Sequence, residues 1–135
     1  MERTKSKHLV LILARELAAN VATPMLIVDA DRTLVYFNEP AEILLGETFA
    51  TTGEMSVREW GSRYEPERLD GRAYSLDEFP ITTALRAARP AHDIVRFTSG
   101  DGVKRTVTVA SYPLLARSND FAGVVTLFWE SSEAG

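Results

Sequence analysis

The 135-residue chain contains no cysteine. This absence excludes disulfides, cysteine-ligated zinc, iron–sulfur clusters, thiol nucleophiles and any chromophore attached through a cysteine sulfur. Histidine is also scarce, with only His8 and His92, and an isolated histidine is more often a solvated side chain than a metal ligand. The sequence therefore cannot support cysteine chemistry, and its two histidines give little basis for a metal site.

The chain also lacks an excess of positive charge. Its 15 Lys and Arg residues face 19 Asp and Glu residues, which gives a net charge of −4 with histidine neutral. Nucleic acids are attracted by broad positive fields, and this composition supplies none. The basic residues Arg3, Lys5, Lys7 and His8 form one small cluster near the N-terminus. We therefore expect no nucleic-acid partner.

Long hydrophobic runs are missing as well. The apolar run Leu9–Ala14 follows the basic cluster in the manner of a signal peptide. Arg15 and Glu16 interrupt it before it reaches the roughly 7 to 15 residues of a signal core or the roughly 20 of a membrane-spanning helix. We therefore expect a soluble, cytoplasmic protein that makes no membrane contact.

What the chain does contain is the residue balance of one ordinary globular domain. Hydrophobic residues make up 45% of the sequence and charged residues 25%. A chain of this length buries roughly two-thirds of the surface that its unfolded form exposes, so it can build a core without a disulfide or a metal. We expect a flanking helix at residues 1–21, one domain at residues 22–130 and a tail at residues 131–135.

The segment His8–Val21 avoids Gly and Pro and is predicted to form the first helix. Its apolar residues recur at helical spacing and form a stripe that is wider than one contact requires. The stripe consists of Val10, Leu13, Leu17 and Val21, widened by Leu9 and Ile12. Two explanations stay open: the helix lies broadly across its own sheet, or it is shared with a second subunit. In the second case, the predicted dimer interface comprises Leu9, Val10, Ile12, Leu13 and Leu17.

Strand and turn signals follow the first helix. Met25–Asp29 and Leu34–Asn38 are rich in apolar, β-branched and aromatic residues, and the turn residues between them predict a hairpin. The Asn38 side chain is predicted to cap a short helix at Ala41–Leu45, which Gly46 ends.

The rest of the chain divides into a loop region, a helix and three strands. Residues 47–76 show no sustained period and are predicted to be loops with at most short helical turns, in which Trp60, Tyr64 and Tyr74 anchor the segment to the core. A helix is predicted at residues 77–88. Antiparallel strands are predicted at residues 93–98, 104–112 and 121–130.

Several short motifs follow one another in a recognisable order. They are Met25–Asp31, Leu34–Asn38, Ala41–Gly46, Glu78–Leu85, Asp101–Arg105, Ser111–Leu114 and Ala122–Val125. Taken together, over about residues 17–130, they resemble a PAS domain of the bacterial sensor type. The resemblance implies an α+β fold: a five-stranded antiparallel sheet in the order 2-1-5-4-3, with short helices on one face around a small cavity. Domains of this kind sense ligands, redox state, light or oxygen, or mediate association.

The resemblance raises the question of a cofactor, which stays unknown. The missing cysteine excludes both a flavin adduct and a covalently attached chromophore. Flavin-sensing PAS domains carry a Gln on the last strand, two residues beyond a Gly, and that position is Val125, which has no hydrogen-bond donor. Haem-binding ones take an axial histidine from the helix before the third strand, and the predicted helix 77–88 has none. We therefore expect neither haem nor flavin.

The residues give no support to an enzyme. His92 and Asp93 are adjacent, so in an extended segment their side chains lie on opposite faces and cannot work as a base and its orienting acid. The Gly-containing segment 99–102 has neither the Lys-Ser/Thr continuation nor the following helix of a phosphate loop, and predicts a hairpin turn. We expect no catalytic residues and no metal site.

If the strand registers of the family carry over, the predicted cavity lining is almost wholly aliphatic. Such a wall favours a small apolar ligand, or complete filling by side chains, over a charged metabolite. The predicted apolar lining is Leu26, Val28, Leu44, Ile81, Leu85, Val95, Phe97, Val107, Val109, Val125 and Leu127. The predicted polar contacts for an amphipathic ligand are Tyr36, Trp60 and Ser111.

The sequence thus predicts a sensory or regulatory PAS module of bacterial signal transduction that is not an enzyme. We expect it to form a homodimer through its first helix and to bind a small apolar molecule in its core. The alternative is a ligand-free domain for protein–protein interaction. In either case we expect the output to lie in a separate chain or in a removed segment.

Overall fold

The computed structural model describes the backbone of residues 2–131 and the side chains of residues 7–117 and 119–131. Met1 and residues 132–135, which hold most of the predicted tail 131–135, lie outside the described residues. Helices and strands are mixed along the chain, and the predicted α+β class is confirmed. The helices are α1 (Glu2–Ala19), α2 (Glu39–Leu45), α3 (Phe49–Thr52), α4 (Val57–Ser62) and α5 (Pro80–Ala87). The strands are β1 (Met25–Asp29), β2 (Thr33–Phe37), β3 (Met55–Ser56), β4 (Ala91–Thr98), β5 (Lys104–Leu115) and β6 (Phe121–Glu130).

The strands form one antiparallel sheet in the order β3-β2-β1-β6-β5-β4. Within the described residues the sheet has six strands, so the expectation of five was one short. The additional strand β3 has two residues and pairs with Thr33 and Leu34 at the edge of the sheet. A strand of two residues shows no alternation of apolar and polar side chains, so the sequence does not reveal β3. The strand falls in the segment predicted as loop. The other five strands have the predicted order.

Three element boundaries differ from the predicted ones by three residues or more. Helix α1 begins at Glu2 instead of His8. Helix α5 begins at Pro80, because the residues before it form a separate 3₁₀ turn, Leu76–Glu78. Strand β5 continues past Tyr112 to Leu115, since it keeps pairing with β6.

Asn38 fastens three elements together at one end of the sheet. The predicted cap is confirmed: the Asn38 Oδ1 atom accepts a hydrogen bond from the Ala41 backbone N at 3.1 Å. The same oxygen accepts from the Met25 N at 3.0 Å, while Nδ2 donates to the carbonyl oxygens of Ala18 and Thr23, both at 2.9 Å. Asn38 therefore joins the end of α1, the start of β1 and the start of α2 while being almost fully buried.

The sheet has a hydrophobic cluster on each face. The inner cluster lies between the sheet and the helices α2, α4 and α5. The outer cluster lies under α1, whose side chains Leu11, Ala14 and Ala18 pack near Ile27 of β1 and Leu127 of β6. Because two of the three helix residues are alanines, the helix can lie close to the strands. Helix α1 thus covers part of its own sheet.

Candidate ligand-binding cavity

A cavity of about 350 Å³ lies in the inner cluster and opens to solvent. Its volume falls in the lower part of the range typical of small-molecule sites. The strand residues in its wall are Leu26, Val95, Phe97, Val107, Val109, Thr126 and Phe128. The wall continues over Leu45, Val57, Trp60, Gly61, Tyr64, Pro66, Leu76, Phe79, Ile81, Thr82 and Leu85, and the exposed residues at the opening are Asp31, Arg32, Ser56 and Arg58.

Eight of the predicted lining residues border this cavity. They come from β1, α4, α5, β4 and β5, and all but one of them are apolar. They are Leu26, Trp60, Ile81, Leu85, Val95, Phe97, Val107 and Val109. Their position makes the inner face of the sheet the floor of the cavity.

The other six predicted lining residues lie elsewhere. Val28 and Leu44 are buried in the inner cluster beside the cavity without lining it. Ser111 is also buried, and its hydroxyl shares a 2.8 Å hydrogen bond with the Thr126 hydroxyl. These three residues lie on the predicted inner side of the sheet, but they pack against neighbouring side chains and do not border the cavity.

Tyr36, Val125 and Leu127 were assigned to the wrong face. All three belong to the outer cluster, beneath α1. Strand β6 is apolar on both faces, so its alternation alone cannot say which residues point inward. The structure puts Thr126 and Phe128 on the cavity side instead.

An aromatic wall closes one side of the cavity. The rings of Trp60 and Tyr64 meet edge to face with centroids 5.2 Å apart, and Tyr64 meets Phe97 in the same way at 5.9 Å. The Tyr64 hydroxyl donates a hydrogen bond to Glu47, whose other carboxylate oxygen lies 2.8 Å from Arg63. Burial and this carboxylate both raise the pKa of Tyr64 well above its ordinary value. The tyrosine therefore stays neutral and works as an anchor.

A second tyrosine holds the segment that follows. The Tyr74 hydroxyl donates to Asp93 of β4 at 2.5 Å, and the Arg68 guanidinium lies 4.1 Å above its ring. Burial, and then the Asp93 carboxylate, raise the pKa of Tyr74 to about 12. Backbone hydrogen bonds between Glu67 and Arg96, at 2.8 and 2.9 Å, pair this segment with the edge of β4. The predicted anchoring role of Trp60, Tyr64 and Tyr74 matches these contacts.

The opening of the cavity is bordered by charged groups. Arg58 of α4 bonds the Asp77 carboxylate at 2.8 Å, and Arg86 of α5 approaches the same oxygen at 3.5 Å. The hydrogen bond and charge of Arg58 are the main causes that lower the pKa of Asp77. These contacts link α4, the 3₁₀ turn and α5 at the rim. Sequence reasoning missed Asp31, Arg32 and Arg58 as rim residues, because the turn and the helix that carry them are far apart in the chain.

Comparison with known proteins bears on this architecture. No protein-family model and no curated protein sequence matches the chain. Among solved structures, the PAS domain of nitrogen regulation protein NR(II) from Vibrio parahaemolyticus aligns over 88% of this chain and 98% of its own, with a TM-score of 0.61 and 20% identity. The chain has the PAS fold. The PAS domain of BvgS from Bordetella pertussis aligns over 91% of this chain and 86% of its own, with a TM-score of 0.58 and 15% identity.

The likeness extends to a PAS domain from a very different protein. The PAS domain of the fruit-fly ELK potassium channel aligns over 89% of this chain and 95% of its own, with a TM-score of 0.67 and 12% identity. At such identities the comparisons concern the PAS fold alone. The function must be argued from the residues of the cavity.

The residues of this PAS fold do not fit haem or a covalently bound flavin. Neither histidine borders the cavity: His8 lies on α1 and His92 on β4, and both are exposed. Val125, the position compared with the flavin-contacting Gln, faces α1, and Thr126 is the polar residue of β6 on the cavity side. Among the side chains that the structure describes, those of residues 7–117 and 119–131, no three from His, Asp or Glu come together as a metal site would require.

Helix α1 leaves an apolar stripe uncovered in the single chain. Leu9, Ile12, Leu13 and Leu17 are between 47% and 58% exposed, and Val10 is half-buried. Leu11, Ala14 and Ala18 form the side of α1 that packs against the sheet, so the residues of the predicted dimer interface stay at least partly accessible. No helix in the described part of the chain is both long and apolar enough to cross a bilayer.

Proposed function

We propose that this chain is a sensory or regulatory module without catalytic activity, which acts in bacterial signal transduction as a cytoplasmic homodimer. Its cavity would take a small, mainly apolar molecule. The observation that carries this proposal is the cavity of about 350 Å³ itself. Protein interiors are close-packed, and voids larger than a water molecule are few. An apolar space of this size in a small domain is therefore better explained by an occupant than by loose packing.

Strand β6 supplies a mechanism by which the occupant could act. One face of β6 borders the cavity through Thr126 and Phe128, while the other packs under α1 through Val125 and Leu127. A ligand that fits one arrangement of β6 better than another would shift the position of α1 by no more than that difference in affinity allows. Asn38 offers a second route, because it bonds directly to the end of α1.

The exposed stripe of α1 supports the dimer. Leu9, Leu13 and Leu17 recur every four residues, with Ile12 beside them, so they lie on one side of the helix. Burying this stripe against the same stripe of a second copy would remove four large apolar side chains from water. The helix then touches its own sheet with one side and its partner with the other.

Native mass spectrometry of gently purified protein tests the cavity. We expect a bound small molecule on the wild type and a smaller bound fraction on Val109→Phe, because the added phenyl group narrows the cavity from its floor. Thr108→Phe is the matched control, since it adds the same bulk one residue away on the opposite face of β5. Absence of bound mass in all three proteins would favour the alternative, a ligand-free interaction domain.

Sedimentation velocity at tens of micromolar tests the dimer. We expect a wild-type dimer and a monomeric double variant Leu13→Asp with Leu17→Asp, because two charges would have to be buried in the interface. Ala87→Asp places a charge on an exposed alanine of α5, away from the stripe, and should leave the dimer intact. A wild-type monomer, or a dimer in the double variant, would refute this interface.

A further inference from the structure

The rim of the cavity carries positive charge, although the wall inside it is apolar. Arg32 lies in the β1–β2 turn and Arg58 at the start of α4, and both border the opening. Arg58 is engaged with Asp77. Among the residues that the structure describes, the Arg32 guanidinium has no ion-pair or hydrogen-bond partner. A free guanidinium beside an apolar cavity is a binding group for a carboxylate.

We propose that the ligand is an amphiphilic carboxylate, whose apolar body fills the cavity and whose carboxylate is held at the rim by Arg32, with Arg58 beside it. The inference rests on the proposed function, because it assumes that the cavity binds a ligand. It goes beyond that function by assigning the ligand a charged group and an orientation.

The backbone fixes Arg32 at this place. Its φ of 66° lies in the left-handed region, which residues with a side chain adopt rarely. The Arg32 N donates to the Asp29 carbonyl at 3.0 Å, and the Arg32 carbonyl accepts from the Val57 N at 2.9 Å. Asp29 Oδ1 also accepts from the backbone N atoms of Asp31 and Thr33, at 2.9 and 3.0 Å. The turn is therefore tied both to itself and to α4, so Arg32 stays beside the opening.

The inner wall explains why the charged group would stay at the rim. The hydroxyls deep in the wall are already engaged: Thr126 bonds Ser111, Tyr64 bonds Glu47, and Thr82 donates to the Leu76 carbonyl at 2.5 Å. No charged side chain of the described residues faces the interior of the cavity. The buried Trp60 Nε1 atom has no hydrogen-bond partner, but it is a single neutral donor and would replace only a small part of the hydration that a carboxylate loses there. The ligand can therefore enter only with its apolar part first.

The charges around the opening favour an anion over a cation, although both signs are present. Arg32, Arg58 and Asp31 border the opening, and Asp77 and Arg86 are linked to it through the ion pairs Arg58–Asp77 and Arg86–Asp77. Asp77 is shared between Arg58 and Arg86, so it is neutralised by its neighbours. Asp31 is the opposing feature, because its carboxylate has no ion pair among the described residues and would attract a cation.

Three ligands with the same eight-carbon chain test the inference: octanoate, 1-octanol and octylamine. The Trp129→Phe background leaves Trp60, in the cavity wall, as the reporter of binding by fluorescence, with calorimetry as a second readout. We expect octanoate to bind most tightly. Arg32→Gln should weaken octanoate by about three- to tenfold and leave 1-octanol unchanged, since an exposed charge pair contributes modestly. Arg32→Lys should restore part of the loss, and high salt should weaken octanoate alone.

Arg72→Gln is the matched control, because Arg72 is exposed, pairs with Asp70 and does not border the cavity. Equal binding of octanoate and 1-octanol, or no effect of Arg32→Gln, would overturn the carboxylate while leaving the proposed function standing. Tighter binding of octylamine would overturn it in favour of a cation at Asp31. Failure of all three ligands to bind would overturn the inference together with the ligand-binding function.

Discussion

The two faces of the sheet are covered in different ways. The outer face is covered in part by α1, which approaches the strands closely through Ala14 and Ala18. The inner face is covered by short helices and an aromatic wall that leave a cavity of about 350 Å³. Close packing on one side keeps the strands in place, while the other side keeps a space open. Under the proposed function, the inner face binds the ligand and the outer face passes the resulting change to α1.

The largest effect should come from the backbone contact at the centre of the sheet. Gly123 has a φ of 155°, and a Cβ atom there would lie 2.2 Å from the Val28 carbonyl oxygen and 3.3 Å from Leu11. We expect Gly123→Ala to lower the free energy of unfolding by about 4 kcal/mol or to prevent folding, since backbone must move. Urea denaturation measures the change.

Gly102→Ala separates the two causes of the loss of stability expected for Gly123→Ala, which are the positive φ and the close backbone contact. Gly102 also has a positive φ, 84°, but nothing lies within 4 Å of a Cβ atom there. We expect a loss of about 1 kcal/mol, which is the cost of the left-handed conformation alone. Equal losses in both variants would show that the close approach of β1 and β6 does not matter.

The next effect concerns the residue that joins the two faces. Asn38→Ala removes a buried cap and leaves the Met25 N and the Ala18 and Thr23 carbonyls without their partner. We expect a loss of about 3 kcal/mol in urea denaturation, together with increased amide exchange at the end of α1. Thr48→Ala removes the cap of the exposed helix α3 and should cost about 1 kcal/mol. A comparable loss in the two variants would contradict the joining role of Asn38.

A matched pair of substitutions compares the cavity with packed core. Val28→Phe adds a phenyl group where the inner cluster is already filled and should cost about 2 kcal/mol. Val109→Phe adds the same group where the floor borders open space, so we expect a change of less than about 1 kcal/mol. Thermal unfolding in the absence of added ligand measures both. A larger loss for Val109→Phe would mean that the cavity cannot accept a group of this size.

The smallest effect is a pH dependence of the segment beside β4. Because the pKa of Tyr74 is raised to about 12 in the folded protein, its contribution to stability is complete below about pH 10 and is lost as the pH rises through about 12. Tyr74→Phe cannot ionise, so the stability difference between wild type and variant should shrink over this interval. Equilibrium unfolding at several alkaline pH values measures it, and a constant difference would refute the raised pKa.

The sequence predicted local chemistry better than the direction of side chains. The Asn38 cap and the hairpin before it follow from residues that are close together in the chain. The orientations of α1 and β6 do not, because residues 9–13 are apolar throughout and β6 is apolar on both faces. In α1 the sheet takes Ala14 and Ala18, whose small size permits close approach, rather than the larger Leu13 and Leu17. The polar pair Ser111 and Thr126 was the one signal for the inward face of β6.

The cavity was only partly accessible to sequence reasoning. The resemblance supplied the floor of the sheet, but the volume depends on how α4, α5 and the aromatic wall pack, which no local pattern encodes. The rim combines residues 31–32 with residues 56–58, brought together by the hydrogen bond from Val57 to Arg32. Such a juxtaposition becomes visible only in three dimensions.

Hydrogen exchange read peptide by peptide, with and without saturating octanoate, tests the central claim that β6 couples the cavity to α1. The account predicts slower exchange in β6 and a change in α1, which lies on the face opposite to the ligand. Helix α3, which does not border the cavity, should be unaffected. Val109→Phe, which narrows the cavity, should weaken the response in both elements. Protection confined to α4 and α5, with α1 unchanged in the octanoate-bound protein, would contradict the coupling.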